Sequence, residues 1–179
     1  LKKITTFELL NKNILIAGFG RIGKKLIKRC LAFDTKVYVY DPYVDDTIIK
    51  NHGGIKINNI EDGLKIADYV SLHMPLTPET KNLLNYSVFK KMKKNSIIVN
   101  TARGGIINEI DLERALNEGL IFGAGLDVFT NEPVEINSPL LKNNKVILSP
   151  HSATFTNECT SRMGIETTKN IIDFFEKKI

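Results

Sequence analysis

The sequence predicts an α/β fold: a doubly wound, mostly parallel sheet with helices on both faces, in one domain covering residues 1–179. Three observations predict it. Apolar runs of strand length alternate with segments of helical period from residue 13 to residue 178. Hairpin signals such as Asn-Gly are missing between the β-like runs, which leaves crossover connections and parallel strands. And the first strand runs into a G-x-G-x-x-G turn that opens a helix.

The elements follow in order. NILIAG (13–18) reads as a short buried strand, and RIGKKLIKRCLAF as a helix with Ile22, Leu26, Ile27, Cys30 and Leu31 on its inner face. KVYVYD (36–41) is a β-rich strand ending in an acid, stopped by Pro42. Residues 44–51 form a short helix, GIKI (54–57) a short strand, and IEDGLKIA (60–67) a weak helix with an internal glycine. YVSLHM (69–74) is a strand halted by Pro75, followed by the loop PLTPET and a short helix at 87–92. SIIVN (96–100) is nearly continuously apolar, as a strand covered on both faces must be. Residues 107–119 give the clearest helix, with Ile110, Leu112, Ala115 and Leu116 inward and Gly119 ending it. GAGLDV (123–128) and KVILS (145–149) are further strands, and 156–178 is a long helix with Gly164 as its soft spot.

Composition narrows the class. Apolar residues make up 42% and charged residues 25%, enough for a sizeable core and against global disorder. The formal charge of +5 is spread over short lysine groups rather than gathered into a patch, so a solvated surface is expected and no nucleic acid. Cys30 and Cys159 lie in helical segments without a CxxC, which predicts two buried thiols in a reducing compartment. No stretch has the length or apolarity of a membrane span, and a cytoplasmic protein is expected. No His/Cys/Asp group has metal-ligand spacing, so no metal is expected.

The glycine turn carries the first functional reading. Gly18 permits the tight turn, a side chain at Gly20 would block a pyrophosphate, and Gly23 lets the helix pack close to the strand. The helix N-terminus then offers amides and a positive dipole end to phosphate, with Arg21 beside it. Asp41 ends the second strand 18 residues beyond Gly23, where an acid binds ribose hydroxyls and repels a 2′-phosphate. Together these predict a Rossmann-type domain and NAD rather than NADP.

Chemistry in such a sheet gathers beyond the carboxyl ends of the strands. Arg103, Asp127, Glu132 and His151 all follow strand-like runs. A histidine beside a carboxylate is a base for a hydroxyl proton, and a guanidinium grips a carboxylate in a planar fork. His73 reads as a satisfied strand-end histidine and His52 as plain surface.

These residues carry a family resemblance. GFGRIG (18–23), SLHMPLTPET (71–80), NTARGGIINEIDLERAL (100–116) and GLDVFTNEP (125–133) occur in order, and PHSATFTNEC (150–159) matches more loosely. With them the sequence resembles the NAD-binding domain of the D-isomer-specific 2-hydroxyacid dehydrogenases over about residues 9–179. The resemblance implies catalytic roles for Arg103 (substrate carboxylate), Glu132 and His151 (the acid–base pair). For the cofactor it implies Gly18, Gly20, Arg21, Ile22 and Gly23 at the pyrophosphate, Asp41 at the ribose, Asp127 at the nicotinamide carboxamide, and Thr77 and Thr101 nearby. It also implies a 2-hydroxy or 2-keto acid substrate, 3-phosphoglycerate first by overall likeness, with glyoxylate or hydroxypyruvate as alternatives. A non-catalytic, corepressor-like NAD-binding protein is the rival from another class. A homodimer is implied, with Leu76, Leu83, Leu84 and Phe89 supplying apolar surface, and so is a second, substrate-binding domain outside this chain. One departure stands out: Phe155 occupies a run that is richer in glycine in many relatives.

Overall fold

Strand β1 (Asn13–Ala17) is apolar at almost every position, and the fold uses both of its faces. Leu15, Ile16 and Ala17 expose no surface, as a central parallel strand covered by helices on both sides requires. The computed structural model describes residues 7–176. Around β1 it builds a seven-stranded sheet from β2 (Lys36–Tyr40), β3 (Ile55–Ile57), β4 (Tyr69–Leu72), β5 (Ile97–Asn100), β6 (Gly123–Leu126) and β7 (Val146–Leu148). The order is β3-β2-β1-β4-β5-β6-β7 and every pairing is parallel. The chain runs outward from β1 to β3, then returns to place β4 on the other side of β1. That reversal opens a crevice at the carboxyl ends of β1 and β4, where doubly wound sheets bind ligands.

Among the described residues, α1 (Arg21–Leu31), α2 (Asp46–Asn51), α3 (Ile60–Ile66), α4 (Tyr86–Phe89) and α5 (Glu109–Asn117) lie between strands, and α6 (Asn157–Phe175) follows β7. Two apolar layers form. Ile14, Ile16, Phe19, Ile27, Val37 and Ile49 pack on one face of the sheet. Leu15, Leu64, Leu72, Phe89, Ile98 and Leu112 pack on the other. Polar side chains set the helix starts, as at Asn108, whose side-chain Oδ1 accepts from Asp111 N, and Asn85, whose Oδ1 accepts from Ser87 N and Val88 N.

Several expected positions are corrected. Ile22 is 63% exposed, because the buried stripe of α1 runs through Gly23, Ile27 and Cys30, and Ile22 lies one step (about 100°) round the helix from it. Ile110 is 79% exposed, since the inner face of α5 is Leu112, Ala115 and Leu116. Cys30 is buried, but Cys159 is only half-buried, because α6 lays no residue into the core. Of the apolar group expected on the surface, Leu84 and Phe89 are core and Leu76 is exposed. Residues 177 and 178 of the predicted last helix lie outside the described residues.

Candidate functional site

The glycine turn leaves β1 at Ala17 and enters α1 at Arg21. Gly18 has φ +99°, open to glycine at little cost, and a Cβ there would sit 2.5 Å from His73 O at the end of β4. A Cβ on Gly23 would overlap Gly18 O, so the close helix–strand packing depends on its absence. At Gly20 the same test meets only open space. That space belongs to a cleft of about 310 Å³ lined by Gly18, Gly20, Tyr40, Asp41, Tyr43, His73, Met74 and Thr77. A bare backbone facing a cleft at a helix N-terminus fits a dinucleotide pyrophosphate. Asp41 closes one side. Its Oδ2 accepts from Phe19 N at 2.8 Å and its Oδ1 from Tyr43 N at 2.9 Å, which leaves acceptor positions of the carboxylate for a ribose diol.

A second cleft, of about 440 Å³, opens between Phe129, Glu132, Leu141, Leu148 and His151. Here His151 Nδ1 lies 2.8 Å from Glu132 Oε2, while Glu132 Oε1 accepts from Phe129 N at 2.9 Å. The bond from His151 holds the Glu132 carboxyl below the ordinary range, with the Phe129 amide adding to it. His151 itself has φ +52°, in the left-handed region.

Asp127 follows β6 and is only 4% exposed. Ser149 Oγ donates to its Oδ1 at 2.5 Å, Ser152 N to the same oxygen at 2.9 Å, and Ala153 N to Oδ2 at 3.0 Å. Burial pushes this carboxyl up, but the three hydrogen bonds and the nearby His151 outweigh it and leave it below the ordinary range.

Arg103 is exposed beyond β5, with Nη1 donating to Ala102 O at 2.6 Å. Its loop is set by the buried Asn100, whose side chain accepts from Ala102 N and donates to Arg103 O. Gly104 is a close approach: a Cβ there would overlap Phe129 O, so the Arg103 loop lies against the segment leading to Glu132.

The structure thus gathers Gly18, Gly20, Asp41 and Thr77 around one cleft and joins Glu132 to His151 at another. Arg21, Ile22 and Thr101 sit exposed near these strand ends and line neither cleft. Sequence reasoning missed the clamps at Asn100 and Ser149. The first had a signal, a strand-ending Asn before a turn; the second had none, because its partner is 22 residues away. It also missed that His73 lines the cleft beside the glycine turn. As expected, His73 is satisfied, sharing a 2.8 Å hydrogen bond with Ser71 Oγ, and burial holds its imidazole below the ordinary histidine range.

The strand order, the glycine turn and the acid ending β2 define a dinucleotide-binding Rossmann domain. Residues 1–153 match the family model described as D-isomer specific 2-hydroxyacid dehydrogenase, NAD binding domain. The chain belongs to that family, and its cofactor is NAD. It is 40% identical over 170 residues to the D-3-phosphoglycerate dehydrogenase of Methanocaldococcus jannaschii, covering 95% of this chain and 32% of that protein. It is 41% identical over 172 residues to the glyoxylate reductase of Thermofilum pendens, covering 94% and 50%. Among solved structures, the D-lactate dehydrogenase of Aquifex aeolicus complexed with NAD and lactic acid superposes with a TM-score of 0.86 at 32% identity, covering 97% of this chain and 56% of that one. The chain therefore spans between about a third and about half the length of these relatives.

Proposed function

We propose that this chain is the NAD-binding part of an enzyme that moves a hydride between the nicotinamide and C2 of a small D-2-hydroxy acid, with glyoxylate or hydroxypyruvate as the keto partner. The observation that carries it is the contact between His151 Nδ1 and Glu132 Oε2 at 2.8 Å, at the carboxyl end of the same parallel sheet as the glycine turn. With Nδ1 turned to Glu132, Nε2 is left for the substrate oxygen. In the oxidation direction the C2 hydroxyl gives its proton to His151 Nε2 while the C2–H bond breaks. The bound NAD supplies the acceptor for that hydride, and C2 becomes a carbonyl. Arg103, with most of its donors unengaged by the protein, binds the substrate carboxylate and fixes C2. The room for a second domain in the longer relatives supports a substrate cleft whose other wall lies outside these residues.

None of Arg103, Glu132 and His151 reads a phosphate, and relatives named for glyoxylate and hydroxypyruvate are as frequent as those named for phosphoglycerate. That moves 3-phosphoglycerate to the second reading, kept because of the Methanocaldococcus relative at 40% identity. NADH oxidation by the longest natural protein carrying this chain tests both, with glyoxylate, hydroxypyruvate and 3-phosphohydroxypyruvate offered in parallel. The unphosphorylated acids are expected to have the higher kcat/KM. Arg103→Lys is expected to raise KM and lower kcat together, and Glu132→Gln to lower kcat by roughly 10²-fold or more. Normal kinetics in both variants would sink the mechanism; a clear preference for the phosphorylated acid would overturn only the substrate.

A homodimer is proposed on the exposed Leu76, one of the apolar residues to which the family resemblance points. Sedimentation equilibrium at micromolar protein is expected to give twice the 20.1 kDa chain mass; a strict monomer at high concentration contradicts it.

A further inference from the structure

His151 occupies a left-handed conformation, with φ +52°, that non-glycine residues adopt uncommonly, and here the surroundings hold it. The enforcement is visible. The two amides that follow it, Ser152 N and Ala153 N, both end on the carboxylate of Asp127, one on each oxygen. Ser149, two residues before it, donates its hydroxyl to Asp127 Oδ1. The turn carrying His151 is therefore tied on both sides to one buried carboxylate. Glu132, the partner of the imidazole, is tied to the same stretch of chain through Phe129 N, two residues beyond Asp127.

We propose that Asp127 is a positioning residue for the acid–base pair: it sets the backbone of the 149–153 turn so that His151 Nδ1 meets Glu132. A carboxylate has about four acceptor positions, and three are occupied by this turn. A carboxylate is required because two donors arrive at one oxygen and a third at the other. An amide offers one acceptor atom, and its NH₂ group would face Ala153 N or Ser152 N donor to donor. The inference rests on the reading of His151 and Glu132 as the acid–base pair, and its test separates the two.

The test uses the full 179-residue chain and three variants, Asp127→Asn, Ser149→Ala and Glu132→Gln. The signature is the His151 Nδ1–H proton bonded to Glu132, read as a protected downfield resonance in ¹⁵N-edited NMR. Binding of ADP-ribose, which engages the glycine turn and Asp41 but carries no nicotinamide, controls for folding. Glu132→Gln is expected to abolish the resonance. Asp127→Asn is expected to abolish it as well, with ADP-ribose binding unchanged and with exchange of the Ala153 amide faster by about tenfold or more. Ser149→Ala, which leaves both amide bonds in place, is expected to keep the resonance but weaken its protection. If Asp127→Asn fails the ADP-ribose control, Ser149→Ala decides. Full protection in Ser149→Ala, or an unchanged resonance in a folded Asp127→Asn, overturns the positioning role. A resonance that survives Glu132→Gln overturns the pair instead and leaves the anchoring of the turn to be read from the Ala153 amide.

Discussion

Asp41 has a structural role, and its proposed place at the cofactor ribose gives it a second one in selectivity. Its two oxygens already hold Phe19 N and Tyr43 N, so the carboxylate pins the glycine turn to the loop after β2 before any ligand arrives. Removing the side chain would loosen the turn and confuse the two roles. Asp41→Asn separates them, because the amide oxygen keeps one backbone bond while the charge is lost. A unit charge about 4 Å from a 2′-phosphate is worth about 4 kcal/mol at an effective dielectric of 20. Salt screening at an open cleft leaves on the order of 1–2 kcal/mol of that. The affinity for NADP relative to NAD is therefore expected to rise by roughly tenfold in Asp41→Asn, measured by calorimetric titration with both cofactors. An unchanged ratio means the discrimination lies elsewhere in the cleft.

At the scale of elements, the amino ends of β1, β4 and β5 meet at Asp68. Its Oδ2 accepts from Asn13 N at the start of β1, its backbone carbonyl accepts from Ile97 N at the start of β5, and Lys93 Nζ reaches its Oδ1. Burial pushes the Asp68 carboxyl up, but the bonds from Lys93 and Asn13 N and the charges of Lys93 and Lys12 more than offset it and hold it below the ordinary range. The sign follows. The unfolded chain takes up this proton near pH 4, where Asp ordinarily titrates, and the folded chain only at lower pH. The contribution to stability is complete above about pH 4 and is lost as the pH falls through the folded value. Urea unfolding in steps from pH 7 to pH 3 is expected to show a drop at the acid end that Asp68→Asn flattens; an identical drop in the variant assigns it to other carboxyls.

The local elements, not the junction at Asp68, are the legible part of the sequence. The β1 turn and α1 follow from local pattern, because the glycine spacing, the apolar run and the helical period all lie within residues 13–31. Asp41 is expected from the motif, which sets where an acid falls, and the structure bonds it to the glycine turn through Phe19 N. What escaped depends on partners far apart in the chain. The turn holding His151 is fixed from Asp127, 25 residues away, and no spacing rule connects the two. Ile22 and Ile110 were misplaced for a simpler reason: an apolar residue one or two steps off a helix stripe looks like part of it until the packing face is known.

On the scale of the whole molecule, α6 stands apart from the sheet. It has 19 residues, none of them buried, and neither apolar layer includes any of them. Ile165, Ile171, Phe174 and Phe175 are each more than half exposed. Local devices favour the helix: Thr156 accepts from Cys159 N at its start, and Glu158 lies in its first turn. Such devices contribute about 1 kcal/mol or less each, while a helix of this length without tertiary packing is marginal in water. The sheet, by contrast, is held by residues with no exposed surface, such as Leu15, Ile16 and Ile98. The two parts are expected to open independently in this chain. Hydrogen exchange should find the α6 amides nearly unprotected while those of β1, β4 and β5 exchange only through global unfolding. Trypsin should cut first at Arg162 or Lys169, and the remaining sheet should keep its thermal midpoint and its affinity for ADP-ribose. If α6 instead exchanges as slowly as the sheet, its apolar side chains are covered in solution, and dilution then tells which partner covers them: protection that fades on dilution belongs to a second copy of the chain, and protection that persists belongs to a fold-back of α6 onto its own domain.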